Sequence, residues 1–524
     1  MRVLLRDGWD MMRVSYRARL WSGLRPRGTL RVLKEFAKGR RDLFLSLAKY
    51  AVERPDQLAV VDDSRTWTFA ELHEASIRLA GAMQARGLKR RQRVGLVCRN
   101  RAEFFIGMAA TLHLGCIAAP MSPHSPVAKT RDKLAGARLS ALIIEQDLAE
   151  ASPVPGPLVP GSPGWSRALR HEPAKSSRGV LWFDDEPDMM LYTSGTTGSS
   201  KGARINMRGA SMMTPVRYLA GFDLRRGDRI FTSCPLYHAA PMLLTGLSLA
   251  IGGTALVSQR FEVEEVIARM IDEGITHAFL VPTLIERLLR SPNAKRLRTA
   301  PLRALLSGGA ALPADLKRKA FAVLGPKLYD FYGATELGIV TIASPHDLRR
   351  HPGSVGRPLP GLDLRFIGDD GRDVPPGEPG ELYVKSDMIS PYEGVEASSP
   401  LETEGWASAG DVARLEDGHL FIVDRKKDMI VSGGANVFPG EVEEVVRAHP
   451  SVREVAVVGL PDPEWGEAVT AFVVVEEGRS LDAEVLREHC KERLNRVEVP
   501  KSFRAIDELP RNPTGKLLRR SLVQ

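Results

Sequence analysis

Residues 191–202 read LYTSGTTGSSKG, setting three glycines, a run of serines and threonines and one lysine behind a short apolar start. Glycine lets backbone N–H groups approach an anion, hydroxyls donate to it, and a lysine offsets its charge. That chemistry suits a phosphate-binding loop; a flexible surface turn is the other reading of the same composition. It is not the Walker pattern G-x-x-x-x-G-K-S/T. Counted from Gly195, the second required glycine is Ser200, and Gly202 follows Lys201 where Ser or Thr belongs.

The chain around this stretch is 524 residues long, too long for one ordinary core, which predicts two or three domains. A hydrophobic content of 43% with 26% charged residues is that of a globular protein. No run of about 18 uncharged apolar residues predicts a membrane-spanning helix. Cys98, Cys116, Cys234 and Cys490 lie far apart and form no C-x-x-C pair, which fits a reducing, cytoplasmic setting.

The net charge of +9 is uneven: residues 1–40 hold eleven Lys or Arg against Asp7, Asp10 and Glu35. We read residues 1–42 as a basic amphipathic leader. On a helix, Leu5, Trp9, Met12, Tyr16 and Leu20 share one face, with Arg6, Arg13 and Arg17 beside it. Such a helix lies on an anionic membrane surface or packs on the body of the protein. The leader carries no recognisable nucleic-acid module, so no nucleic-acid partner is expected.

From about Leu43 the pattern is globular. RTWTFAELHEASIRLAGAMQARGL (65–88) predicts a short strand, a Thr68 cap with Glu71 three residues on, and an amphipathic helix ending at Gly87. RVGLVCRN reads as a buried strand, and AEFFIGMAATLHLGCIAAPMSP as a helix followed by a strand. Such alternation predicts layered, mainly parallel α/β structure. ASPVPGPLVPGSPGW (151–165) reads as a surface loop. After about residue 425 the segments read helix, strand, strand, helix, strand, a small α+β domain. The expected organisation is a large N-terminal domain over 43–425 and a small mobile C-terminal domain over 426–524.

Four further stretches accompany the glycine-rich one: DFYGATELG (330–338), GWASAGDVARLEDGHLFIVDRKKDMI (405–430), VSGGANVFPGEVE (431–443) and LPRNPTGKLLRR (509–520). Together, in this order and spacing, they resemble the signatures of the adenylate-forming superfamily, in its acyl-CoA synthetase branch. The resemblance spans about residues 43–520. It implies ATP, Mg²⁺ and coenzyme A as cofactors, and a reaction through an acyl-adenylate to a thioester.

The residues themselves suit those tasks. Tyr332 offers a ring to stack on a base, Asp330 an acceptor for an exocyclic amine, and Thr335 a hydroxyl for a phosphate. Glu336 suits Mg²⁺, which takes carboxylate and phosphate oxygens. The resemblance implies that Asp330, Tyr332 and Gly333 hold the adenine, with Thr335 on the α-phosphate. It also gives Thr193, Ser194, Gly195, Thr196, Thr197, Gly198 and Lys201 as the phosphate loop, with Thr193 joining Glu336 at the metal. Asp411 is implied as the ribose ligand; Ala409 stands before its glycine where the family more often has Thr. Arg425 is implied as a nucleotide contact and Lys427 as the hinge. Lys516 is implied as the C-terminal catalytic lysine, bringing positive charge to the developing negative charge. Gly433 and Gly434 are implied to leave room for the pantetheine arm.

CPLYHAAPMLLTGLSLAIGG (234–253) is expected to line the acid pocket, with His238 as a gate near the carboxylate; a structural histidine is the alternative. No carboxylate here pairs with a substrate ammonium, which disfavours an amino acid. The expected substrate is a hydrophobic carboxylic acid, foremost a medium- to long-chain fatty acid. The alternatives are an aryl or sterol-derived acid, or transfer to a carrier protein. A non-catalytic adenylate-binding protein is disfavoured by the intact Lys516, Glu336 and glycine loop. The expected location is cytoplasmic, with a peripheral contact at the inner membrane face through residues 1–40.

Overall fold

The computed structural model describes residues 45–174, 189–193, 201–205, 213–335, 337–386, 389–392, 400–433, 435–511 and 517–523. The basic leader lies outside the described residues, as do positions 194–198, Glu336, Gly434 and Lys516.

Two mainly parallel sheets dominate the N-terminal part. In the larger, strands Ala304–Ser307, His277–Phe279, Arg229–Thr232, Thr254–Val257 and Leu58–Val61 are neighbours in that order, all parallel. Leu328–Ala334 adds in parallel beside Ala304–Ser307, then turns back antiparallel into Gly338–Ala343. The second sheet runs Met189–Thr193, Ile117–Pro120, Arg93–Val97 and Ala141–Ile144 in parallel. Lys201–Ile205 closes it antiparallel to Met189–Thr193, with Thr193 opposite Lys201. The two ends of the glycine-rich stretch therefore lie side by side.

Local sequence accounts for these elements. Thr68 accepts from the Glu71 N–H while Glu71 accepts from the Thr68 N–H at 2.8 Å, the reciprocal cap expected at the start of helix Phe69–Ala85. That helix packs on Ala102–His113, and Phe69, Leu72, Leu79, Phe104 and Phe105 are buried between the layers. Full burial of such side chains contributes roughly 1.5–3 kcal/mol each. Residues 151–165 depart from the expected surface loop. Leu158 bridges Ile143 beside the sheet edge, and Leu158, Val159 and Trp165 are buried. The Pro/Gly punctuation is real, but its apolar residues seal the end of the sheet.

A smaller antiparallel sheet follows, ordered Asp363–Ile367, Gly380–Lys385, Trp406–Glu416, His419–Arg425. Its last hairpin leads through a short 3₁₀ turn, Lys426–Asp428, into the C-terminal domain. There the helix–strand–strand–helix–strand order appears as Pro439–Arg447, Val452–Asp462, Gly466–Val475, Ala483–Lys491 and Ser502–Ala505. Val442, Val446, Val457, Val469 and Leu486 form its own core. Asp424 ties the parts together by accepting from the Gly440 N–H at 2.6 Å, at the start of helix Pro439–Arg447.

Candidate active site

Ligands in open α/β sheets bind beyond the carboxyl ends of parallel strands. The structure brings three of the expected residues together there. Strand Leu328–Ala334 carries Tyr332, whose hydroxyl donates to Asp411 Oδ2 at 2.7 Å. Asp411 lies on the neighbouring antiparallel sheet, opposite Arg425 in the hairpin register, and its Oδ1 is 3.2 Å from Arg425 Nε. Asp411 is buried, whereas Tyr332 and Arg425 remain partly exposed. Each carboxylate oxygen of Asp411 keeps acceptor capacity beyond its one protein donor. An aromatic face, a fixed carboxylate and a guanidinium thus converge on one spot, a set that fits a nucleoside with its hydroxyls and phosphate.

Asp330 sits differently. Its side chain is 4% exposed, and its carboxyl lies 3.6 Å from Lys317 Nζ. Burial pushes its pKa up to about 6, against the pull of Lys317. Burial likewise holds the Lys317 amine below its usual range, against the pull of Asp330. Lys317 also donates to the carbonyls of Pro352 at 2.8 Å and Ser354 at 3.1 Å. The Asp330 side chain is therefore engaged with the interior.

His238 occupies the N-cap position of helix Ala239–Ala250 without capping it through its side chain. Its ring centroid stands 4.2 Å from that of Tyr237, which is 6.2 Å from that of His124. Burial, then the neighbouring His124, lower the His238 pKa to about 4. Among the described residues its buried Nε2 has no hydrogen-bond partner. A buried polar atom left in this way calls for a ligand or water. The same holds for Ser307 Oγ, at the end of strand Ala304–Ser307.

Ser307 and the glycines after it were absent from the sequence reading. Their signal is a short apolar run, ALL (304–306), breaking into SGG at a strand end (307–309), immediately beside the Asp330 strand. Thr335 follows Tyr332 in the turn of the Leu328–Ala334 hairpin, and Gly333 pairs across it with Ile339. Lys427 is exposed in the 3₁₀ turn at the junction. Gly433 lies in the C-terminal domain, its N–H donating to the Trp465 carbonyl at 2.8 Å. The Thr193 and Lys201 backbones are paired. Glu336, Gly434, Lys516 and positions 194–198 lie outside the described residues.

Comparison with known proteins identifies the family. A model of the AMP-binding enzyme family matches residues 47–392, and one of the AMP-binding enzyme C-terminal domain matches residues 441–516. A feruloyl-CoA synthase of Amycolatopsis sp is 34% identical over 473 residues, covering 89% of this chain and 95% of that protein. A long-chain-fatty-acid–CoA ligase of Mycobacterium tuberculosis is 31% identical over 466 residues, covering 86% and 92%. The solved o-succinylbenzoate CoA synthetase of Bacillus subtilis, in complex with its acyl-adenylate intermediate, superposes with a TM-score of 0.79 at 28% identity, covering 91% of this chain and 98% of that one. With most of its length matched in this way, the chain belongs to the AMP-binding enzyme family, in the acyl-CoA synthetase branch of the adenylate-forming superfamily.

Proposed function

We propose that this acid–thiol ligase activates a largely apolar carboxylic acid with ATP and passes it to the thiol of coenzyme A. The observation that carries the reading is the Tyr332–Asp411–Arg425 constellation beside the carboxyl ends of a parallel sheet, next to the turn that leads into a small second domain. In the first half-reaction an acid oxygen forms a bond to the α-phosphorus of ATP and pyrophosphate leaves. In the second, the thiol sulfur bonds the acyl carbon, AMP leaves, and the thiol proton passes to solvent. Glu336 and Thr193 would hold Mg²⁺, which would supply charge neutralisation at the phosphates. Asp411 accepts from the ribose hydroxyls, and Arg425 orients Asp411 and faces the nucleotide. Neutral His238 meets the acid carboxylate at the mouth of helix Ala239–Ala250. The small domain turns about Lys427, presenting Lys516 for adenylation and the Gly433–Gly434 stretch for thiol transfer.

Relatives named for feruloyl, indoleacetyl, o-succinylbenzoyl and long-chain fatty acyl transfer support an acid with a sizeable apolar body. A relative named as a fatty acid–acyl-carrier-protein ligase keeps a carrier thiol as the second reading of the acceptor. The test is acid-dependent pyrophosphate release by the full chain over fatty, aromatic and amino acids, with and without coenzyme A. Release with fatty or aromatic acids, and thioester only with coenzyme A, is expected. No release with any acid overturns the reading. The leader is proposed to hold the enzyme at an anionic bilayer; co-sedimentation of the full chain with anionic vesicles at low salt, lost at high salt, is the expected result.

A further inference from the structure

Behind the hairpin that carries Tyr332 lies a narrow hollow, walled among the described residues by Thr214, Arg217, Tyr218, Ile339, Leu359 and Gly361. Two relationships join it to the reaction site. Ile339 is the cross-strand partner of Gly333, so the hollow backs directly onto the strand that presents Tyr332. Tyr218 and Ile339 also share an apolar cluster with Leu244, on the helix that begins beside His238. That buried cluster packs between the helix and the hollow.

Arg217 is the charged group there. It is half-buried on helix Met213–Gly221, and among the described residues no carboxylate or carbonyl takes its guanidinium. Nearby arginines behave differently: Arg225 holds Asp223 at 2.8 Å, and Arg303 holds Asp228 at 2.8 Å. The backbone makes room for the fork. A Cβ at Gly361 would fall 2.5 Å from Arg217 Nη2 and 2.8 Å from Nη1, and Gly361 has a φ of +80°. Beside it, the Tyr218 hydroxyl accepts from the Ile339 N–H at 3.4 Å, and burial pushes that phenol up to about 12, so it stays protonated. Five N–H donors in a partly apolar hollow, with no acceptor among the described residues, favour an oxygen brought by a ligand.

We propose that Arg217 reads an oxygen at the far end of the acid, a phenolic oxygen or a second carboxylate. The substrate is then an acid with an oxygen-bearing tail rather than a plain alkyl chain. This rests on the acid–thiol ligase reading and deepens it by naming the substrate class.

The test uses the full chain and two matched pairs of acids: cinnamate against 4-hydroxycinnamate, and octanoate against octanedioate. Pyrophosphate release is measured for wild type, Arg217→Met and Arg217→Lys, with an ATP-induced melting shift confirming that each variant is folded. Wild type is expected to prefer the oxygen-bearing member of one pair by roughly tenfold or more in kcat/KM, and that pair identifies the oxygen as phenolic or carboxylate. Arg217→Met should bring the ratio to within about threefold of unity, and Arg217→Lys should keep part of it, because a lysine retains the charge but loses the fork. No preference in either pair, or a preference that survives Arg217→Met, overturns the proposal. Absence of pyrophosphate with all four acids and with the broader panel counts instead against the ligase reading.

Discussion

The Tyr332 hydroxyl reaches Asp411 Oδ2 at 2.7 Å from another sheet, and Arg425 takes the other oxygen at 3.2 Å. The carboxylate is thus fixed from two sides before any nucleotide arrives. A hydrogen bond to a charged group contributes about 1.5–3 kcal/mol, so Asp411→Asn should raise the KM for ATP roughly ten- to a hundredfold. Tyr332→Phe removes one orienting bond and should have a smaller effect in the same direction. Steady-state pyrophosphate release at varied ATP measures both. An unchanged KM in Asp411→Asn would remove Asp411 from the nucleotide site.

Lys317 and Asp330 form an ion pair whose side chains are each 4% exposed. Removing one partner of a buried pair leaves the other uncompensated, at a cost of about 3–5 kcal/mol. Lys317→Met should therefore destabilise the protein by about that much, and adding Asp330→Asn should restore part of the loss. Urea unfolding of the two single variants and the double variant measures the coupling. Strict additivity would mean that Lys317 acts mainly through its bonds to Pro352 and Ser354 rather than through Asp330.

This pair marks what the amino-acid pattern left hidden. Alternation along Leu328–Ala334 puts Asp330 and Tyr332 on one face, and the motif offered both to a base. Which partner each meets depends on a helix and a sheet packed from elsewhere in the chain. Local signals carried well by comparison. The Thr68–Glu71 cap and the five elements of the C-terminal domain follow from patterns within a few residues, and the structure has them. Leu158 and Val159 failed to stand out because Pro/Gly spacing announces a turn without saying whether its apolar residues face a sheet end. Arg217 has no motif at all; only its position against Gly361 and Ile339 distinguishes it from other surface arginines.

The two half-reactions should separate by residue. Gly433 has a φ of +57°, and a Cβ there would stand 3.0 Å from the Trp465 ring. A leucine at this position strains the backbone and displaces the indole. Gly433→Leu is expected to form acyl-adenylate but to lose thioester formation. Lys516→Ala is expected to do the reverse, losing roughly a hundredfold or more in adenylation while converting supplied acyl-adenylate with coenzyme A. Single-turnover assays of each step decide the matter. Equal loss of both steps in either variant would reject the division of labour.

His238 makes a prediction about acid stability. Burial, then the neighbouring His124, lower its pKa to about 4 in the folded chain, while an unfolded histidine titrates near 6.5. Between these values the unfolded state binds a proton that the folded state refuses. Stability is therefore complete above pH 6.5 and falls as pH drops toward 4, with no further loss from this residue below that. A gap of that size corresponds to about 3 kcal/mol. His238→Gln cannot take up the proton in either state, so its stability should decline less steeply over the same window. Urea midpoints at intervals from pH 7.5 to pH 4 measure it. Parallel curves for wild type and variant would mean that the His238 imidazole is as accessible to protons in the folded protein as in the unfolded chain.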